Sequence, residues 1–199
     1  MATYIVLLGP PGSGKGTQAK LIAERFGLPQ VSTGDLFRAM KSLDTPLARK
    51  VQEVMAHGHL VSDDVTIEVV KDRLSRDDCK QGATLDGFPR TKVQADALDK
   101  LLEDSFQSHV TIVPLFEVDR EEAVRRITGR AEQQGRRDDS PGVAQTRFEV
   151  YGEDTAPLID YYEKKGVLVR LNGNRPAAQV TADLLAAVEQ RMQADQAAR

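Results

Sequence analysis

A glycine-rich segment with a single lysine, Gly9–Thr17 (GPPGSGKGT), follows the apolar run 4–8 and precedes a helix-like stretch. It fits the pattern G-x-x-x-x-G-K, in which glycines without Cβ let successive backbone N–H groups surround phosphate oxygens and the lysine supplies a positive charge. The helix that follows adds its N-terminal donors and its dipole. Because strand, loop, lysine and helix occur in this order, the segment predicts a phosphate-binding loop (P-loop) rather than a chance glycine-rich turn.

The P-loop departs from the general pattern at one position. The residue directly after Lys15 is Gly16, and the hydroxyl follows one place later, at Thr17. In the general pattern the Ser or Thr directly after the lysine binds Mg²⁺ through its hydroxyl. Direct ligation of Mg²⁺ by Thr17 is therefore left open.

Five further parts of the chain carry groups that phosphoryl transfer between two nucleotides requires. They are STGDLFR at 32–38, HLVSD at 59–63, LDGFPR at 85–90, Gln94, and the arginines Arg126, Arg130, Arg136 and Arg147. A nucleoside monophosphate is already an anionic nucleophile at neutral pH, so this reaction needs no general base. It needs two repelling polyphosphates held in line, with lysine, arginine and Mg²⁺ neutralising the charge on the moving group. Arginine suits this task because its planar fork binds two oxygens and stays charged.

The composition places these motifs in one acidic, cysteine-poor chain. Its 199 residues are 40% hydrophobic, enough for one sizeable core. The formal charge of -3 argues against general binding to nucleic acid or membrane surfaces. The lone cysteine, Cys79, excludes an internal disulfide, and we expect an exposed or half-buried structural thiol. We expect neither a leader peptide nor a membrane span, and therefore a cytoplasmic protein.

Alternating strand-like and helix-like patterns predict the scaffold that positions these groups. Short apolar runs predict five strands, at 4–8, 29–31, 83–85, 110–118 and 167–171. Helical periodicity fills the intervals, with a stop at Gly27, a break at 57–59 and a kink at Pro157. Repeated βα units of this kind form a parallel sheet covered on both faces. We predict an α/β, three-layer P-loop fold with a five-stranded parallel sheet and helices on both faces.

Taken together, the motifs GKGT, STGD, DGFPR and RRDD resemble those of the adenylate kinase family, in order from Ile5 to about Pro176. The resemblance implies reversible phosphorylation of AMP by MgATP to give two ADP, which serves adenine nucleotide homeostasis. It implies one kinase domain over 1–199 with two mobile inserts, an AMP-binding segment at 32–61 and a lid at 129–139. The partners would be the small nucleotides ATP, AMP and ADP, and a monomer accommodates such moving inserts.

On the donor side, the resemblance assigns the ATP phosphates to the P-loop and to arginines. The P-loop residues concerned would be Gly12, Ser13, Gly14, Lys15, Gly16 and Thr17. Arg126 and Arg130 would lie over the donor phosphates, with Arg130 also beside the donor adenine. Arg175 would meet that adenine through its backbone. The residues taking part in catalysis would be Lys15, Arg90, Arg126, Arg130, Arg136 and Arg147.

On the acceptor side, the resemblance implies an AMP pocket over which Arg136 and Arg147 close. Its other residues would be Thr33, Arg38, His59, Leu60, Val61, Gly87, Phe88, Pro89, Arg90 and Gln94. The amide of Gln94 suits an adenine edge, and Thr33 stands where pyrimidine kinases of this fold commonly carry alanine. Both residues therefore favour AMP as the acceptor.

Carboxylates and the lid complete what the resemblance implies. Asp86 ends a strand where P-loop enzymes keep a carboxylate for Mg²⁺, bound directly or through its waters. Asp138 and Asp139 would help to orient those waters or the arginines. Only residues 131–135 separate Arg130 from Arg136, and the zinc-type cysteines of long-lid bacterial relatives are missing. The chain therefore resembles the short-lid type, and we expect Mg²⁺ with ATP but no structural zinc.

The sequence fits other functions less well. A guanine-nucleotide switch would also use a P-loop, but its guanine-reading Asn-Lys-x-Asp motif is absent. An RNA- or DNA-dependent ATPase is disfavoured by the acidic balance and the lack of a basic stripe. A metal site at His57 and His59 is disfavoured because no carboxylate stands at ligand spacing. Among kinases, a UMP/CMP kinase or another small-molecule kinase of the same fold is the alternative.

Overall fold

Five short strands form one parallel sheet in the order β2-β3-β1-β4-β5. The computed structural model describes residues 2–134 and 141–197. Its strands are β1 (Thr3–Leu7), β2 (Gln30–Ser32), β3 (Gly82–Asp86), β4 (Val110–Glu117) and β5 (Leu168–Asn172). The five predicted strands are confirmed, and their ends differ from the predicted ones by no more than one residue.

Helices connect the strands and supply the outer layers. In chain order they are α1 (Lys15–Phe26), α2 (Thr33–Ala39), α3 (Pro46–Ala56), α4 (Asp63–Leu74), α5 (Lys92–Phe106), α6 (Arg120–Gln134), α7 (Pro141–Val150), α8 (Leu158–Lys164) and α9 (Ala177–Ala197). Gly27 ends α1 in the left-handed region, at φ 68°, as predicted, because glycine adopts that conformation without a steric penalty. Pro157 follows a π-helical turn at Tyr151–Thr155 and precedes α8, which confirms the predicted interruption. In the part of the chain described, no helix is both long and apolar enough to cross a membrane.

The sheet separates two apolar layers, and its central strand β1 contributes to both. Tyr4 and Val6 pack with residues of α4, α5 and α8, whereas Ile5 and Leu7 pack with residues of α1 and α9. All four side chains are buried. A strand that is buried on both faces needs a continuous apolar run, which is the pattern that the sequence shows. The predicted α/β three-layer arrangement is thus confirmed.

The parallel strands present their carboxyl ends at one edge of the sheet. The P-loop leaves β1 there, Thr33 follows β2 directly, and Asp86 is the last residue of β3. The register pairs Leu7 with Asp86 and Ser32 with Asp86 across neighbouring strands. Ligands of open α/β sheets bind outside this edge, so the fold brings three of the predicted segments to one place.

Cys79 is fully buried, so the expectation of an exposed or half-buried thiol is wrong. Its charged neighbours in sequence suggested exposure, but the short turn before β3 directs the thiol into the core. Arg73 covers it, with Nη1 donating to Sγ at 2.9 Å. Burial raises the pKa of the Cys79 thiol, and this outweighs the opposing charge of Arg73.

We expect Cys79 to react with a chromogenic disulfide reagent only when the protein is unfolded, because both burial and a raised pKa suppress the thiolate. The measurement is thiol release in native buffer and in concentrated denaturant. Immediate, complete reaction in native buffer would contradict the buried position.

Candidate active site

The P-loop follows a left-handed path that only glycine adopts easily. Gly9, Gly12 and Gly14 have φ values of 144°, 81° and 91°. Of these three glycines, Gly12 has the least space for a side chain. A Cβ there would lie 2.3 Å from the backbone oxygen of Ala123 on α6. Gly14 directly precedes α1 and gives it no side-chain cap. The first turn of that helix lines a cleft beside the P-loop. The helix therefore directs its N-terminal donors and the positive end of its dipole toward this space.

Lys15 bends back over its own loop. Its Nζ donates to the backbone oxygens of Gly9 at 2.6 Å and Pro10 at 2.9 Å, and to Ser13 Oγ at 3.0 Å. These acceptors are neutral, whereas a phosphate oxygen would make a stronger, charge-assisted hydrogen bond with the same ammonium group. The loop therefore holds the ammonium group where a phosphate oxygen could replace these acceptors.

Asp86 faces the start of α1. Its Oδ2 accepts a hydrogen bond from Gln30 Nε2 at 3.0 Å. The same oxygen lies 3.2 Å from the position that a Cβ on Gly16 would occupy, and Thr17 lines the same cleft. Carboxylate and hydroxyl oxygens are the ligands that Mg²⁺ prefers in proteins, so the donor set fits a magnesium ion that accompanies phosphates.

A sharp turn after Asp86 places Arg90 in the cleft. Gly87 has a φ of 77°, and its backbone oxygen accepts hydrogen bonds from Thr33 Oγ1 at 2.8 Å and from Arg90 Nε at 2.9 Å. A Cβ at Gly87 would lie 2.8 Å from Arg90 Nη2. The glycine therefore permits close contact between the loop, the guanidinium and Thr33.

The charges around Arg90 are those of an anion site. Burial lowers the pKa of the Arg90 guanidinium to about 10; the charges of Arg147 and Arg38 lower it too, while Asp86 opposes them. Arg90 therefore stays protonated at neutral pH despite its desolvation. Arg38, Arg90 and Arg147 line the same cavity, and a bound polyanion would stabilise these cations, so this part of the cavity suits a phosphate ligand.

Two adjoining cavities open at this edge of the sheet. The large cavity, of about 650 Å³, is lined by the P-loop and by Asp86, Arg90, Arg126 and Arg147. The small cavity, of about 70 Å³, is lined by Thr33, Arg38, His59, Leu60, Val61, Gly87 and Gln94 among others. Arg90 and Arg147 line both cavities. The structure thus brings the predicted donor and acceptor residues together around the same arginines.

Arg126 borders the large cavity from α6. Its Nε donates to Glu122 Oε1 at 2.7 Å and its Nη2 donates to the backbone oxygen of Gly173 at 2.9 Å. Hydrogen bonds from Arg125 and, to a smaller extent, Arg126 lower the pKa of the Glu122 carboxyl to about 2, so Glu122 is ionised at neutral pH. The side chain of Arg126 is thereby held at the rim of the cavity.

Several predicted residues lie outside the described part of the chain. Arg136, Asp138 and Asp139 fall between residues 134 and 141, and of Arg130 only the helical backbone is described. Their roles, and the short lid itself, stay predictions. Among the residues that are described, no group of three or more His, Cys, Asp or Glu side chains is placed to hold a metal ion.

Two predicted residues do not bring their side chains to either cavity. Phe88 is 2% exposed and packs in the hydrophobic core. Arg175 instead hydrogen-bonds Gln179 at 3.0 Å and Asp183 at 2.6 Å on α9. A contact of either residue with a nucleotide would therefore have to come from the backbone. Pro89, next to Phe88, does line the large cavity.

Three polar residues support the site and carry no role in the sequence-based prediction. Gln30 donates to Asp86, Asp63 accepts from Gln94 Nε2 at 2.8 Å, and Thr155 Oγ1 donates to the backbone oxygen of Arg90 at 2.9 Å. Each partner lies far away in sequence, so no local pattern reveals the contact. Only their positions in the chain could have pointed to two of them. Gln30 begins β2, which pairs with β3, and Asp63 is the last residue of the HLVSD segment.

Comparison with known proteins agrees with this geometry. A family model described as adenylate kinase matches residues 7–167. The chain is 46% identical to the adenylate kinase of Kocuria rhizophila, over 94% of this chain and 99% of that protein. It is 44% identical to the adenylate kinase of Cyanothece sp., over 94% and 95% of the two chains. It is 48% identical to that of Xanthomonas euvesicatoria pv. vesicatoria, over 85% and 90%. By the family model and by these relatives, the chain belongs to the adenylate kinase family.

Proposed function

We propose that the two cavities carry out the reaction of this family, the reversible transfer of a phosphoryl group from MgATP to AMP to give two ADP. The observation that supports this most is the position of Arg90 and Arg147, which line both the P-loop cavity and the cavity of Thr33 and Gln94. Two nucleotides bound on either side would therefore direct their phosphates toward the same cations. Such an arrangement brings donor and acceptor together and neutralises the charge between them.

In this proposal, Lys15 and the P-loop amides bind the donor phosphates, and Arg126 lies at their rim. Asp86 and Thr17 are the residues that would hold Mg²⁺ with ATP, directly or through water, and the ion neutralises phosphate charge when it is bound. Arg38, Arg90 and Arg147 bind the acceptor phosphate. No side chain has to remove a proton, because the AMP phosphate is already ionised at neutral pH.

Two segments are proposed as mobile inserts of a single kinase domain spanning 1–199. The segment 32–61 contributes most of a small apolar cluster of its own, built around Phe37, Val51 and Val61 and separate from the two main core clusters. A separate cluster lets a segment move as one body without opening the main core. The lid at 129–139 would close from the other side and exclude water, a competing acceptor. We also propose a monomer that acts in the cytoplasm on small nucleotides and contains no structural zinc.

The decisive experiment is initial velocity with MgATP and, in separate assays, AMP, CMP, UMP, GMP or no acceptor, with formation of each diphosphate followed. We expect formation of ADP that depends on AMP and far exceeds turnover with the other acceptors. Preference for CMP or UMP would overturn the assignment of the small cavity to adenine. Hydrolysis independent of any acceptor would overturn the proposal of transfer.

The Gln30→Leu substitution is expected to raise the Mg²⁺ concentration needed for half-maximal velocity by roughly three- to tenfold, since Asp86 loses the hydrogen bond that orients it. The measurement is a Mg²⁺ titration at fixed ATP and AMP. The matched control is Gln81→Leu. Gln81 is exposed and directly precedes the first residue of β3, at the end of the strand opposite Asp86, so this substitution should leave the titration unchanged. Equal curves for Gln30→Leu and the unmodified chain would contradict the role of Gln30.

A further inference from the structure

The side-chain amide of Gln94 is held at both ends by groups whose hydrogen-bonding roles cannot be exchanged. Its Nε2 donates to Asp63 Oδ1 at 2.8 Å, and its Oε1 accepts from the backbone N–H of Arg90 at 2.8 Å. A carboxylate only accepts and a backbone N–H only donates. A glutamine amide can in general be turned over, with oxygen and nitrogen exchanged. Here the two partners fix which side carries the nitrogen.

Asp63 is itself held firmly in place. It is the first residue of α4, and its Oδ1 also accepts from Thr91 Oγ1 at 3.0 Å. The same Thr91 hydroxyl caps α5 by accepting from the backbone N–H of Gln94 at 3.2 Å. Asp63 therefore connects α4 both to the first turn of α5 and to the amide that this turn carries.

The fixed amide borders the small cavity. Gln94 is 1% exposed and lines that cavity. After its contacts with Asp63 and Arg90, the amide keeps the capacity for one further donated and one further accepted hydrogen bond. A 6-aminopurine offers a donor at its 6-substituent and an acceptor at N1, whereas a 6-oxopurine offers the opposite pair. An amide that cannot turn over matches only one of these two edges of a base bound in a given position, and with AMP as the proposed acceptor this is the 6-aminopurine edge.

We propose that Asp63 is a specificity-determining positioning residue, which holds the Gln94 amide in the orientation that accepts a 6-aminopurine monophosphate and rejects a 6-oxopurine monophosphate. This rests on the proposed function, in which the small cavity takes the acceptor base. Rejection follows because the wrong edge leaves buried polar groups without partners, and sites built on such hydrogen bonds discriminate strongly.

A carboxylate in the first turn of a helix also stabilises that helix through its dipole, which is the competing explanation for Asp63. The neighbouring Asp64 separates the two effects. It lies in the same first turn, is exposed, and has its pKa lowered first by a hydrogen bond from Ser62 and then by the backbone N–H of Val65. Asp64→Ala therefore removes a first-turn charge without touching Gln94.

The test compares AMP with IMP, which differ only at the 6-position and N1, in the unmodified chain and in Asp63→Ala, Asp63→Asn and Asp64→Ala. We expect Asp63→Ala to lower the ratio of kcat/KM for AMP to that for IMP by at least about tenfold, chiefly through a higher KM for AMP. Asp63→Asn, which keeps an oxygen acceptor, should retain most of the ratio, and Asp64→Ala should retain all of it. In a Gln94→Ala background, Asp63→Ala should change the ratio no further.

A proportional loss of activity with both acceptors in Asp63→Ala would overturn the inference, as would an equal change of the ratio in Asp64→Ala. If Asp63→Ala does not fold, Asp63→Ser is measured in its place, because serine is well tolerated at a helix start. Failure of the proposed function has a different signature. It would appear in the unmodified chain, as activity that does not depend on AMP.

Discussion

Lys15→Met is expected to lower kcat/KM for phosphoryl transfer by at least about a hundredfold, a loss of about 3 kcal/mol of transition-state stabilisation, as when one donor of an oxyanion site is removed. The reason is geometric as well as electrostatic. The Nζ atom lies among the backbone oxygens of Gly9 and Pro10 and the hydroxyl of Ser13, directly inside the P-loop.

Methionine matches lysine in length and keeps the apolar stem, so the fold should persist. The measurement is steady-state velocity with MgATP and AMP together with the midpoint of thermal unfolding. Lys100→Met, on the exposed face of α5, loses the same charge away from the cleft and should retain normal velocity. Near-normal turnover in a folded Lys15→Met protein would contradict the assignment of the P-loop to the donor phosphates.

The scaffold and the P-loop could be predicted from the sequence because their signals are local. The run Tyr4-Ile5-Val6-Leu7 is apolar throughout because β1 is buried on both faces, and Gly27 marks the end of α1 through its own backbone conformation. The P-loop is likewise a contiguous segment, so its glycines and its lysine are read together. The periodicity and turn chemistry of such segments are properties of neighbouring residues.

The supporting contacts could not be predicted because they join residues that are distant in sequence. Gln30 reaches Asp86 across 56 positions, Asp63 reaches Gln94 across 31, and Thr155 reaches Arg90 across 65. The contact of Gln30 with Asp86, for example, depends on the strand order, which places β2 beside β3. Cys79 shows the same limit, since charged neighbours in sequence gave no indication that the chain turns the thiol inward. The predicted site residues belong to contiguous motifs, whereas the residues that contact them are brought there by the topology.

Gly12→Ala is expected to lower the free energy of unfolding by roughly 2–5 kcal/mol and to reduce kcat/KM by more than about tenfold. The left-handed conformation at φ 81° costs alanine about 1 kcal/mol or more. In addition, the new Cβ would lie 2.3 Å from the backbone oxygen of Ala123, so α6 or the P-loop must shift, which costs about 1–3 kcal/mol more. Because α6 also carries Arg126, either shift would change the position of Arg126 relative to the P-loop.

Gly14→Ala is the matched comparison, because it separates backbone strain from steric overlap. Gly14 has a φ of 91°, yet a Cβ there would meet nothing within 4 Å. It should therefore lose only about 1–2 kcal/mol of stability, from the left-handed backbone alone. The measurements are denaturant unfolding and steady-state velocity for both variants. Equal losses of stability in the two would show that contact with α6 contributes nothing, whereas a larger loss in Gly12→Ala would establish that α6 fixes the position of the P-loop.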